Sequence, residues 1–138
     1  MVTFNKFNNF VLRLAKGEHH LEAASDVVKV YLTNNTPSAS ADDVKADLAG
    51  ITEQNGYSAA DISNDVSQTG GTMTMTGTDV TWTATTGGFG PFRYAVLYND
   101  THASDALIGW WDYGSSVSCA NAGETFKVDF GASVITIT

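Results

Sequence analysis

The residues whose types first suggest chemistry are few: the adjacent pair His19-His20, the distant His102, and Asp112 set between Trp111 and Tyr113. Adjacent histidines on a strand point to opposite faces, so the pair cannot share one metal ion without a distorted backbone. A zinc site would also have to recruit His102 from the turn-like Asn99-Asp100-Thr101-His102 segment. The expectation is instead three surface histidines in loops. Asp42, Asp43 and Asp47 crowd together but lack the glycine and the closing glutamate of a calcium loop. An aromatic setting can raise the pKa of a carboxyl such as Asp112, as a glycosidase acid requires. A second acid must face it at a defined separation, and no residue of this chain is marked for that part.

The remaining signals are weaker. Gly87, Gly88 and Gly90 precede a strand-like run, and no Lys-Ser/Thr follows them, so they do not cradle phosphate. Ser115-Ser116 lies in no nucleophile elbow. Cys119, the single cysteine, cannot form an internal bridge and reads as a small packed side chain. Trp82, Trp110, Trp111 and Tyr113 could line a platform for sugar rings. Consecutive Trp110 and Trp111 point opposite ways in a strand, however, so core packing is the expectation for the group. No catalytic residue, cofactor or metal is expected, and the chain reads as a binding or structural part, not an enzyme.

The elements that hold these residues are mostly strands. Val28, Val30 and Leu32 alternate with Lys29, Tyr31 and Thr33, and Asn34-Asn35-Thr36-Pro37 stops the run. Similar alternation recurs weakly over 62–66, through Met73 and Met75, through Val80, Trp82 and Ala84, through Phe126, Val128 and Phe130, and at Ile135 and Ile137. Residues 92–99 and 106–113 are apolar on both faces, which places them centrally. Eight strands predict an all-β fold: a two-sheet jelly-roll or Greek-key β-sandwich with a short N-terminal helix. A closed up-and-down barrel is the alternative. One domain spans 1–138, with the helix over 1–17 and an irregular excursion over 38–61. Loops of that length in compact domains are commonly functional.

Within 1–17, Thr3 offers a helix cap and Gly17 a left-handed stop. Phe4, Phe7, Phe10, Val11 and Leu14 recur at helical spacing, with Lys6, Arg13 and Lys16 on the far side and Leu12 outside the apolar arc. This face either caps one end of the sandwich or docks on a second chain. Phe4, Lys6, Phe7, Phe10, Leu12, Arg13 and Lys16 are the expected interface residues, helped by the excursion.

Charge narrows the partners. Of the net −8, residues 1–16 carry three bases and no acid (+3), and the other 122 carry four bases and fifteen acids (−11). An acidic body argues against nucleic acid, whose phosphates need a basic face, and against anionic membrane. No run approaches the ~20 apolar residues of a membrane span. Asn5, Lys6, Asn8, Asn9 and Arg13 interrupt the first segment, so no signal peptide is read and cytoplasmic assembly is expected.

From Val80 to Phe130 the chain resembles a group of small virion proteins of tailed phages. The likeness is carried by Trp82-Thr83-Ala84, Gly90-Pro91-Phe92-Arg93-Tyr94, Leu97-Tyr98-Asn99-Asp100-Thr101, the run Leu107 to Gly114, and Gly123-Glu124-Thr125-Phe126. Phe4-Asn5-Lys6-Phe7 and Val30-Tyr31-Leu32-Thr33-Asn34 add to it, and residues 38–75 contribute least. The family is the jelly-roll capsid cement, or decoration, proteins of short-tailed phages, of the Bordetella-phage type. The resemblance implies a symmetric oligomer, a homodimer before a homotrimer, on the outer surface of an icosahedral head. Its partner would be the major capsid protein, and it implies no catalytic residues. A tail or fibre module, or a carbohydrate-binding module recognising a surface glycan, is the competing expectation.

Overall fold

The structure, a computed structural model, describes residues 2–138. Strand β1 (Asn5–Lys6) and helix α1 (Asn8–Ala15) precede β2 (Val28–Thr33), a 3-10 turn at Lys45–Asp47, β3 (Ala60–Asp61) and β4 (Asp65–Thr69). There follow β5 (Thr72–Thr76), β6 (Val80–Thr83), β7 (Phe89–Asn99), β8 (Leu107–Cys119), β9 (Thr125–Val128) and β10 (Ile135–Ile137). The all-β sandwich expected from the alternation is present. Its two additions, β1 and β3, are only two residues long.

The first layer is a five-stranded antiparallel sheet in the order β1-β8-β7-β2-β3. The second pairs β4 with β5, β5 with β10 and β6 with β9. In that layer Met73 lies opposite Ile137 and Met75 opposite Ile135; further along, Val80 lies opposite Val128 and Thr83 opposite Thr125. The segments 72–83 and 125–137 are therefore one antiparallel ribbon interrupted at residues 77–79. Strand β2 sits beside β7, and β5–β6 beside β9–β10, across the intervening β7–β8 hairpin. That is Greek-key connectivity, not a closed barrel.

Period two explains the core. Val28, Val30 and Leu32 of β2 face inward with Ala95 and Leu97 of β7, and meet Met75, Val80, Trp82 and Ile135 of the second layer. Tyr31, Val96 and Tyr98 point the other way, and a second cluster forms on the outer face of the five-stranded sheet. Tyr98 pairs with Leu107 but Leu97 with Gly109, so Ile108 is an inserted residue. This bulge lets Leu107 join the outer cluster and Ile108 the inner one.

The excursion 38–61 covers that outer face. Val44 bridges to Ala106, Leu48 is buried against Tyr31, and the Tyr31 hydroxyl donates to the Leu48 carbonyl at 2.7 Å. On the inner side the Leu32 N–H donates to the Tyr57 hydroxyl at 2.7 Å. Burial pushes the Tyr57 phenol up to about 12. The segment is irregular because it wraps a sheet edge; its start is tied to Asn8 at the head of α1, and its middle and end are tied to β2.

The N-terminal segment departs from expectation. Asn5 and Lys6 pair with Trp110 and Gly109, and the helix begins only at Asn8, with Phe7 in extended conformation at its N-cap. Pairing to the β8 edge overrides the helical spacing of Phe4 and Phe7. The stop at Gly17 is as expected: its φ is +72°, its N–H donates to Leu14 O and that of Glu18 to Arg13 O.

Candidate functional site

The walls of the sandwich do not meet on one side. There the rim of the first layer, β1 and β8, stands across from the rim of the second, β9 and β10. Between them lies a groove of about 1570 Å³ whose floor includes Phe92, Trp111 and Phe126. Neither β9 nor β10 has a strand neighbour on its outer side. Beyond Trp110, neither does β8. Unpaired strand edges present backbone N–H and C=O groups in a row, which is the chemistry of strand addition.

Exposed apolar side chains gather at the same mouth. Among the described residues four large ones are exposed: Val2 (45%), Val11 (46%), Leu12 (50%) and Tyr113 (54%). Val2, Val11 and Tyr113 line the groove, and Leu12 adjoins Val11 on α1. The opposite rim differs, since β4 carries mostly exposed polar residues and β3 is only two residues long. Isolated exposed apolar residues need no explanation, but a concentration beside open sheet edges marks an interaction surface.

The polar groups of the mouth are mostly paired. Arg93 grips Asp112 with both arms of its guanidinium, at 2.8 and 2.9 Å. That pairing, with the Gly114 N–H, holds the Asp112 carboxyl below the usual carboxylate range, so the expectation of a raised pKa is corrected. Lys127 reaches Asp79 at 2.9 Å and Asp129 at 3.9 Å. Lys127 Nζ and the Phe130 N–H, both bonded to Asp79, lower the Asp79 pKa.

The seven expected interface residues separate. Phe7 is fully buried with its ring centroid 4.6 Å from that of Trp110, and Phe10 is buried beside His19. Both belong to the chain's own core, and their assignment to an intermolecular face is corrected. Phe4 packs on Trp111 at 5.2 Å between centroids and lies over Gly109, where any Cβ would strike its ring. Arg13 turns inward to Asp43 at 2.7 Å and Glu18 at 2.6 Å, so it is a strut from α1 to the excursion. Lys6, Leu12 and Lys16 are exposed.

The other candidates fall mostly to packing. Trp82 is buried and its Nε1–H donates to the Ser58 carbonyl. Trp110 and Trp111 are half-buried on opposite faces of β8. Cys119 is buried, which raises its thiol pKa. His19 overturns the reading of surface histidines: it is 5% exposed, with Nδ1 3.0 Å from the Asn99 amide nitrogen. Among the described residues no three His, Cys, Asp or Glu side chains are placed to hold a metal ion.

The mouth itself escaped sequence reasoning. Its one sequence-level trace is the surplus of apolar residues near both chain ends, which alternation alone assigns to a sheet face and not to a rim. No protein-family model, no curated protein and no solved structure matches this chain.

Proposed function

We propose that this chain is a clamp on the outside of a phage head, a capsid cement protein that holds neighbouring major capsid subunits together. The observation that carries the reading is the one-sided mouth, where free strand edges and three of the four exposed large apolar side chains coincide. The sequence likeness to cement proteins, the sandwich fold and the acidic body agree with it. The physical logic is multivalent. An oligomer touching several shell subunits gains avidity beyond any single contact, and a bridge across subunit joints opposes the outward pressure of packaged DNA.

The test mixes the purified protein with expanded heads that lack it. Stoichiometric coating, with heads that then survive heating longer, is the expected result. Heads that remain bare at saturating protein, or mature particles from the source without it on their exterior, would overturn the proposal.

A second reading has one observation in its favour. Tyr113 and Trp111 both line the mouth from one face of β8, and aromatic faces at a groove can hold a sugar ring. A glycan array read by tryptophan fluorescence separates the two readings, since a saturable shift favours a glycan-recognition module.

A further inference from the structure

The excursion carries one dipeptide with a chemistry of its own. Asn55 alone among the asparagines is followed by glycine. In such a pair the glycine nitrogen can attack the asparagine Cγ, because no side chain on the glycine screens it. A C–N bond closes a five-membered succinimide, and the Nδ2 amide leaves as ammonia, taking the proton that the glycine nitrogen gives up. Water then opens either carbonyl of the ring and leaves aspartate or isoaspartate. One water is consumed and one ammonia released, so no other reactant is needed.

The fold holds Asn55 away from that reaction. Its φ is +50° and that of Gly56 is +94°, and the Tyr57 N–H donates to the Gln54 carbonyl at 2.9 Å, so 54–57 is a type I′ turn. In the left-handed conformation ψ is about +30 to +60°. That swings the Gly56 nitrogen to the side of the Cα–C bond opposite Cβ, whereas ring closure needs the two on one side. The side chain is also occupied. Asn55 Nδ2 donates to the Gly88 carbonyl at 2.8 Å, and the Asn55 carbonyl accepts from the Thr85 N–H at 2.8 Å. Gly56 lies so close to the Thr83 carbonyl that a Cβ there would strike it. Tyr57 anchors the corner: it is buried, with its ring centroid 5.4 Å from those of Trp82 and Phe89.

We propose that Asn55 is a deamidation site gated by the fold, closed while the 54–57 turn is hooked onto residues 83–88 and open whenever that corner detaches. The conversion is one-way. Aspartate at position 55 turns an acceptor towards the Gly88 carbonyl, where the amide had offered a donor, and isoaspartate adds a backbone atom to the turn. Neither product rehooks, and the connection between β6 and β7 loses its tie to the excursion. Each copy thus keeps a permanent chemical record of having opened there. The site owes nothing to the partner of the mouth, so it stands whether or not the clamp reading does.

Peptide mapping by mass spectrometry tests this on the full chain. Samples are held at one mildly alkaline pH, either folded or unfolded in urea, and the asparagine, aspartate and isoaspartate forms of position 55 are followed over time. Unfolded chains are expected to convert at least about thirtyfold faster than folded ones, since a folded chain must first open locally. Hydrogen exchange reads the lock itself. In Asn55→Asp the Thr85 amide, which donates to the carbonyl of residue 55, is expected to exchange about tenfold or more faster than in wild type. Equal conversion rates in folded and unfolded chains overturn the proposal without recourse to any variant. So does a folded Asn55→Asp protein whose Thr85 amide is as protected as in wild type.

Discussion

His19 shows how much a single buried side chain can decide. The Asn99 amide oxygen accepts from the N–H groups of Thr101 and His102, and its nitrogen donates to Asp26, so the amide cannot turn over. Nδ1 of His19 is therefore an acceptor, and the neutral ring carries its proton on Nε2, a buried atom without a partner. A second proton would set an N–H against the Asn99 donor. Burial first, and the nearby His102 second, hold the pKa down to about 4, against an ordinary 6.5. The unfolded chain then binds a proton that the folded one refuses. Stability is complete above about pH 6.5 and falls as pH drops towards 4, by up to roughly 3 kcal/mol. Denaturant melts at closely spaced pH values check this, and a flat profile between pH 6.5 and 4.5 contradicts it. Nothing near His19 in sequence reveals its burial, because Asn99, which fixes its state, lies eighty positions away. Gly109 makes a second residue-scale case. Gly109→Ala drives a methyl into Phe4 and should cost about 1–3 kcal/mol, with a shift in tryptophan emission as Phe4 leaves Trp111.

At the scale of elements, periodicity found strands well and their partners poorly. The run Val28–Thr33 is a strand at its predicted limits, because strict alternation and a proline-bearing turn leave no other choice. Residues 4–7 are helical by spacing yet extended in fact, since the pairing that decides them comes from β8, a hundred residues on. Helix α1 consequently has a buried side and an exposed side that substitution should separate sharply. Phe10→Ala is expected to cost about 3–5 kcal/mol, and Leu12→Ser to stay within about 0.5 kcal/mol, in urea melts. In the excursion, Tyr57→Phe removes the acceptor of the Leu32 N–H and strands a buried donor. A loss of about 1–3 kcal/mol is expected, with faster exchange at the Leu32 amide. Irregularity marks the excursion in the sequence without showing what holds it. The ties to β2 are long-range and side-chain-mediated, so no local pattern announces them.

For the whole molecule, fold class was legible and the candidate site was not. Alternating apolar residues state that sheets exist and which side chains they bury; they are silent on where two layers fail to close. The mouth arises from strand order, with β9–β10 terminal in one layer and β8 an edge of the other beyond its short pairing with β1, and strand order is a property of long-range pairing. Charge works at this scale too. With fifteen acids against seven bases, separate copies repel at a distance, and moderate salt should weaken that repulsion.

The contrast between the two rims limits what this molecule can build. Sheets with two receptive borders can add copy after copy and grow into filaments, a hazard for any strand-rich protein. Here β4 presents Asp65, Ser67 and Gln68 to solvent and β3 ends after two residues, leaving that border blunt. A molecule with one receptive border has room there for a single neighbour, and the blunt border offers no second site from which a chain of copies could grow.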